Sequence, residues 1–224
     1  GVELAAGVHV VRISMVSVGT SGYVGNFDWF RATPAVAAPA RMAYPAGAPW
    51  PLPGTVELEN FDIGGAGVAY SDTTAANEGG KYRTADGVDI ALDAAAGNGH
   101  TLGWVKAGEW MEYTVNVATS GTYALGARVA SSGVGGQFRI LVDGVDKTGA
   151  LTLPNTGGWN KYQVVEKTGV DLVAGVQTVR VAMISAGSSG YVGVMDQLSL
   201  VASSGPVPGP TRMAYPAGVP WALP

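Results

Sequence analysis

GEWMEYTVNVATSGTYALGARVASSGVGGQFRILVDG, residues 108–144, decides the fold. Within it MEYTVNV (111–117) sets Met111, Tyr113, Val115 and Val117 against Glu112, Thr114 and Asn116. That two-residue period puts one side of an extended chain in a core and the other in water. GTYALGARVA (121–130) and QFRILVDG (137–144) continue the pattern, separated by Gly- and Ser-rich stretches, and the closing Asp-Gly is a hairpin turn signal. The same grammar extends outward to TVELENFD (55–62), KYRTADGVDIAL (81–92), KYQVVEKTGV (161–170), VQTVRVAMIS (176–185) and VMDQLSLV (194–201). Short strands with turn signals about every 10–15 residues and no convincing helical period predict an all-β chain, two antiparallel sheets packed as a β-sandwich of jelly-roll type.

Composition agrees and excludes several kinds of function. The 224 residues include 34 glycines, and only 13% are charged. A net charge of −4 without a Lys/Arg cluster lacks the electrostatic footprint of a nucleic-acid binder. No apolar run reaches the roughly 18 residues of a membrane-spanning helix. With no cysteine there is no disulfide, thiolate nucleophile or zinc-thiolate site, and two histidines, His9 and His100, leave little for a histidine metal cluster or a Ser-His-Asp triad.

The chain also repeats itself. Residues 1–32 agree with 169–200 at 17 of 32 positions, and RMAYPAGAPWPLP (41–53) returns as RMAYPAGVPWALP (212–224) with 11 of 13 identical. The spacing from Arg41 to Arg212 is 171 residues, so the sequence reads as one whole unit preceded by the back end of another. The expected organisation is 1–32, the C-terminal strands of a preceding or strand-shared unit; 33–53, an apolar Pro-rich linker; 54–201, a complete domain; and 202–224, the linker again. VHVVRISMVS (8–17) and NFDWFRA (26–32) are predicted strands joined by a turn at TSGYVG (20–25), a ribbon too small to be stable alone. A linker repeated more faithfully than its domain suggests that Tyr44, Trp50, Tyr215 and Trp221 dock on neighbouring copies of the chain.

ELENFDIGGAGVAYSDTTAANEGGKYR, GVDI, LGWVKAGEWMEYTVNV, GTYALGARVAS, GGQF, LPNTGGWNKYQ and the closing DQLSL strand resemble the family 6 carbohydrate-binding modules over about 56–201. The resemblance implies a non-catalytic β-sandwich attached to a secreted polysaccharide-degrading enzyme, hence an extracellular setting. It further implies a sugar site in the loops at one end of the sandwich, where two aromatic rings hold a pyranose by its apolar C–H face. By motif position the rings are Trp104 and Trp159. Ser71 or Asp72 matches the polar loop residue, and the asparagine that bonds sugar hydroxyls falls on Asn26 in the partial copy and on Val194 in the complete one. The alternative for both tryptophans is packing under loops or against protein. Trp110 is read as core or as lining of a second, concave-face site. The resemblance also implies a structural calcium ion held by Glu57, Glu59 and Asp196, hard oxygen ligands from the first and last strands.

Carboxylate pairs such as Glu109/Glu112 and Asp86/Asp89 do not make an enzyme, since nothing supplies a deep cleft, a third orienting group or a cofactor motif. Two readings remain. One is an extracellular structural repeat protein whose units assemble head-to-tail into a filament or matrix. The other is a xylan- or β-glucan-binding module from a secreted glycoside hydrolase.

Overall fold

In the computed structural model, residues 8, 10–30 and 40–203 are described, and the chain divides into two units, Gly1–Ala38 and Pro39–Pro224.

The second unit is the predicted sandwich. Its strands are β1 (Trp50–Leu52), β2 (Gly54–Glu57), β3 (Tyr70–Ser71), β4 (Ile90–Leu92), β5 (His100–Val105), β6 (Trp110–Val117), β7 (Gly121–Ser131), β8 (Gln137–Val142), β9 (Val145–Asp146), β10 (Leu151–Thr152), β11 (Gly158–Leu172), β12 (Gly175–Ser185) and β13 (Gly193–Ala202), with one 3-10 turn at Leu58–Asn60. One sheet runs β1-β6-β12-β8-β10, with β3 on β6 and β9 on β8; the other runs β11-β7-β13-β5-β4, with β2 on β13. The alternation in β6 does what its period requires: Met111, Tyr113, Val115 and Val117 are buried, and the Tyr113 hydroxyl donates to the Leu58 carbonyl at 2.7 Å. From β12 the core takes Val179, Val181 and Met183, and from β13 Met195, Leu198 and Leu200. The Asp143-Gly144 turn joins β8 to β9 with both residues at positive φ, 48° and 80°, the geometry a two-residue hairpin loop needs.

Two expectations about boundaries are corrected. First, the sandwich takes in residues from Met42 on, ahead of residue 54. Met42 and Ile63 exchange backbone hydrogen bonds of 2.9 and 2.7 Å, Ala43 and Leu52 are buried, and β1 pairs with β6, in parallel rather than antiparallel. Proline lacks the N–H of a ladder, so a strand containing Pro51 fits at the sheet edge, where β1 lies. The back half of the expected linker is therefore an edge of the fold. The repeated segment 212–224 lies outside the described residues, with Tyr215 and Trp221.

Second, the described part of 1–32 contains the predicted turn without the predicted strands. The Gly19 N–H donates to the Tyr23 carbonyl at 3.0 Å and the Gly22 N–H to the Gly19 carbonyl at 3.0 Å, with Gly22 at φ 77°. The repeated sequence in the sandwich makes the same turn, Gly187 to Tyr191 at 2.8 Å and Gly190 to Gly187 at 3.1 Å. No ladder flanks the turn among residues 10–30, and the side chains of Val11, Ile13, Met15, Phe27 and Phe30 are exposed. A turn closes on itself, whereas a strand needs a neighbour.

Candidate functional site

A cleft of about 590 Å³ opens at one end of the second sheet. Its walls come from the end of β4 (Ala91, Leu92, Asp93), from β5 (Thr101, Gly103, Trp104), from the start of β11 (Trp159, Asn160) and from the entry to β13 (Tyr191, Gly193, Val194). Strands of one sheet thus deliver residues far apart in sequence to one place. Trp104 and Trp159 are 38% and 40% exposed, so each offers ring surface to a ligand while the rest is packed. Trp104 sits at φ 49°, an uncommon conformation for a bulky residue that turns its ring out of the regular strand. The loop beside it must carry glycine: a side-chain carbon at Gly79 would collide with the Ile90 carbonyl and come within 3.0 Å of the Trp104 ring. Trp159 is braced edge-on by Tyr191, with ring centres 6.4 Å apart at 88°.

The polar groups of the cleft divide into those already engaged and those available. Thr101 donates to the Met195 carbonyl at 3.0 Å, and Asp93 accepts the Tyr162 hydroxyl at 2.7 Å and the Ala95 N–H at 2.9 Å. The Asn160 amide and the Tyr191 hydroxyl make no hydrogen bond to another described residue and are the donors and acceptors free to orient a ligand. Val194, 8% exposed, adds an apolar wall.

Of the expected binding residues, Trp104 and Trp159 come together here. Ser71 and Asp72 do not line this cleft. Ser71 pairs with Trp110 on the first sheet, and Asp72 closes its own loop by accepting the Thr74 N–H and hydroxyl, both at 2.7 Å. Asn26 lies in the other unit. Asp93, Asn160 and Tyr191 escaped the sequence reading. Tyr191 had a signal, since it belongs to the turn motif that both copies keep, and Asn160 directly follows Trp159.

Trp110 is not part of the core cluster. It is half-buried with the Arg180 guanidinium 4.0 Å above its ring, while Glu112 pairs with both Arg180 and Arg41. Glu109 accepts the Thr73 hydroxyl at 2.6 Å and the Lys106 N–H at 2.8 Å. Both carboxylates of the Glu109/Glu112 pair are thus engaged in holding the sheet.

The three carboxylates expected to hold calcium are neighbours. A bulge in β13 between Met195 and Gln197 turns Asp196 inward, where it pairs with Arg128 and accepts the Gly97 N–H at 3.1 Å. Glu59 accepts from Asn98 and, at 3.1 Å, from Asn60. Burial pushes its carboxyl up to about 7, the Asn98 hydrogen bond opposing and the charges of Glu57 and Asp196 adding to the rise. Burial likewise raises Glu57, with Asp196 next in effect. Glu57 Oε2 and Glu59 Oε2 are buried without a hydrogen-bond partner. These two orphaned oxygens suit a hard cation in their donor chemistry. The convergence of three does not follow: no group of three acidic or histidine side chains among the described residues is placed to hold a metal ion, and Arg128 already neutralises Asp196.

Tyr44 and Trp50, expected to dock on neighbouring copies, are engaged within their own unit. The Tyr82 hydroxyl donates to the Tyr44 oxygen at 2.9 Å, Arg83 lies 4.4 Å from the Tyr44 ring centre, and Trp50 pairs in β1 and packs against the core.

The sequence model of the family described as carbohydrate binding module (family 6) matches residues 78–202. Beta-agarase AgaA of Microbulbifer thermotolerans is 30% identical over 122 residues, 52% of this chain and 28% of the agarase. Alpha-agarase of Thalassotalea agarivorans is 28% identical over 149 residues, 62% of this chain and 10% of the enzyme. The chain thus spans less than a third of either relative. Among solved structures, a β-1,3-glucan-binding family 6 module from Bacillus halodurans superposes with a TM-score of 0.51 at 19% identity, covering 69% of this chain and all of that one. The C-terminal family 6 module of the laminarinase LamC from Zobellia galactanivorans gives 0.50 at 25% identity, over 66% of this chain and 98% of that one. These similarities favour the binding-module reading over the head-to-tail scaffold.

Proposed function

Because this chain belongs to the family 6 carbohydrate-binding modules, we propose that it binds a neutral polysaccharide in the cleft between Trp104 and Trp159, as a secreted, non-catalytic module that holds an enzyme on its substrate. The observation that carries the reading is the pair of half-exposed tryptophans on one cleft with few free polar groups. A pyranose stacks its C–H face on indole, and the Asn160 amide and Tyr191 hydroxyl meet its ring oxygens and hydroxyls. Among the described residues no lysine or arginine lines the cleft, which suits an uncharged chain rather than a polyuronate. The agarase relatives put agarose first among candidates, with β-glucan and xylan next.

Val194 limits the affinity. Its side chain neither donates nor accepts, so a sugar hydroxyl buried against it stays unpaired at a cost of about 1–3 kcal/mol, and the expected dissociation constants are no tighter than about a millimolar. Titration calorimetry with oligosaccharides of the three polymers should show such binding, weakened about tenfold or more by Trp104→Ala or Trp159→Ala. Undiminished binding by the double variant would overturn the assignment.

Glu57 and Glu59 would hold a calcium ion through their unpaired oxygens, where it would supply the positive charge that two buried carboxylates lack. A chelator that leaves the unfolding midpoint unchanged would remove this part of the reading.

A further inference from the structure

Residues 10–30 carry the inward-facing residues of a sandwich they do not sit in. Aligned on the repeat, Val11, Ile13, Met15, Val24, Phe27 and Phe30 correspond to Val179, Val181, Met183, Val192, Met195 and Leu198. In the complete unit those six are buried, none above 4% exposed; in the first unit their counterparts are all at least 43% exposed. The charged residues repeat as well. Arg12 matches Arg180, which pairs with Glu112 of β6, and Asp28 matches Asp196, which pairs with Arg128 of β7.

What would cover this face is set by topology. β12 lies between β6 and β8, and β13 between β7 and β5, so a strand pair of this kind needs neighbours on both sides in both sheets. All those neighbours come from residues 54–168. A second copy of this chain cannot supply them, because its own β12 and β13 already fill the places and are held there at the high effective concentration of one polypeptide.

We propose that residues 10–30 belong to the last two strands of a second sandwich of the same family, completed by polypeptide homologous to 40–168, and that Asn26 gives its cleft an orienting group that Val194 does not give the described one. Tyr23, Gly25 and Asn26 fall on the cleft residues Tyr191, Gly193 and Val194. These strands keep the tyrosine and offer a carboxamide where the described cleft has a valine. With the same residues supplied from β4, β5 and β11, the cleft that carries the carboxamide is the tighter of the two. The strand assignment stands on the repeat and the burial pattern; the statement about affinity rests on the sugar-binding reading of the cleft.

The alignment gives a direct test, since Gly1 corresponds to Gly169. A copy of residues 40–168 is joined through its Thr168 to Gly1 of the full chain. Amide exchange across 10–30 should slow by about a hundredfold or more relative to the unextended chain, and a second cooperative unfolding transition should appear. Phe27→Asp in the extended protein should remove both. With the original cleft silenced by Trp159→Ala, agarose or β-glucan oligosaccharides should bind the added cleft about tenfold more tightly than they bind the unextended chain, and Asn26→Val should abolish that gain. If 10–30 exchange as fast with the extension as without it, the strand assignment is overturned, whatever sugars do. Protection without any difference between Asn26 and its valine variant overturns the affinity statement alone, and protection with no sugar bound at either cleft overturns the functional reading while the strands stand.

Discussion

Ile13 and Val181 hold equivalent places in a repeated sequence, yet Val181 is fully buried in β12, between β6 and β8, whereas Ile13 is 51% exposed and in no strand. A few residues on, the copies agree again: both form the Gly-to-Tyr turn with the same two hydrogen bonds. The difference locates where the information for each feature lies. The turn is closed by groups within five residues and by a glycine at positive φ, so it forms wherever its sequence occurs. A ladder takes its hydrogen bonds and its buried face from strands remote in the chain, and the same alternating residues stay exposed without them.

The largest contrast should come from placing a charge at this pair of positions. Val181→Asp buries an unpaired carboxylate in the core and should destabilise by about 4 kcal/mol or more, enough to unfold the sandwich, whereas Ile13→Asp should move stability by less than about 0.5 kcal/mol. Chemical denaturation of both variants measures this, and equal losses would mean that 10–30 already pack somewhere in this chain.

A next effect, smaller and confined to the complete unit, comes from Glu59. Its folded pKa near 7 lies above the unfolded value, so the folded state holds a proton that the unfolded chain releases. Stability is then fully present below about pH 4.5 and falls as pH rises toward 7, by something of order 3 kcal/mol. Thermal melts from pH 4.5 to 7.5 should show the decline, Glu59→Gln should flatten it, and calcium should reverse it if the two orphaned oxygens take the ion. A midpoint that climbs steadily over this range would contradict the burial of Glu59 as a neutral acid.

The smallest contrast concerns the cleft. Val194→Asn should strengthen oligosaccharide binding by about tenfold, while Asn26→Val in the unextended chain should change nothing, because the described cleft is lined by residues of the second unit alone. A weakened Asn26→Val variant would mean that the first unit takes part in binding as it stands.

Much of the sandwich was readable from residues 108–144 and their neighbours, because alternation in a strand such as Met111–Val117 records its two faces in the order of the letters. Trp104 and Trp159 were readable as ring platforms only through motif resemblance, and Asp93, Asn160 and Tyr191 hardly at all. The residues of a loop-end site are gathered by sheet order, and nothing in β4 announces that β5 and β13 will stand beside it. The linker misled for a related reason: a Pro-rich apolar stretch looks the same whether it spans a gap or lies on a sheet edge, and it was β6, an edge without β1, that took it up.

The order of letters alone settled the strand periods, the tight turns, the repeat and the class of fold, since each depends on forces acting within a few residues. Which strands are partnered, where the unit begins, that Asp196 faces Arg128 instead of closing a ring of three metal ligands, and which side chains share a cleft were settled by packing. Those features are made by groups dozens of residues apart, and a single strand's sequence carries no record of its neighbours until the sheets assemble around it.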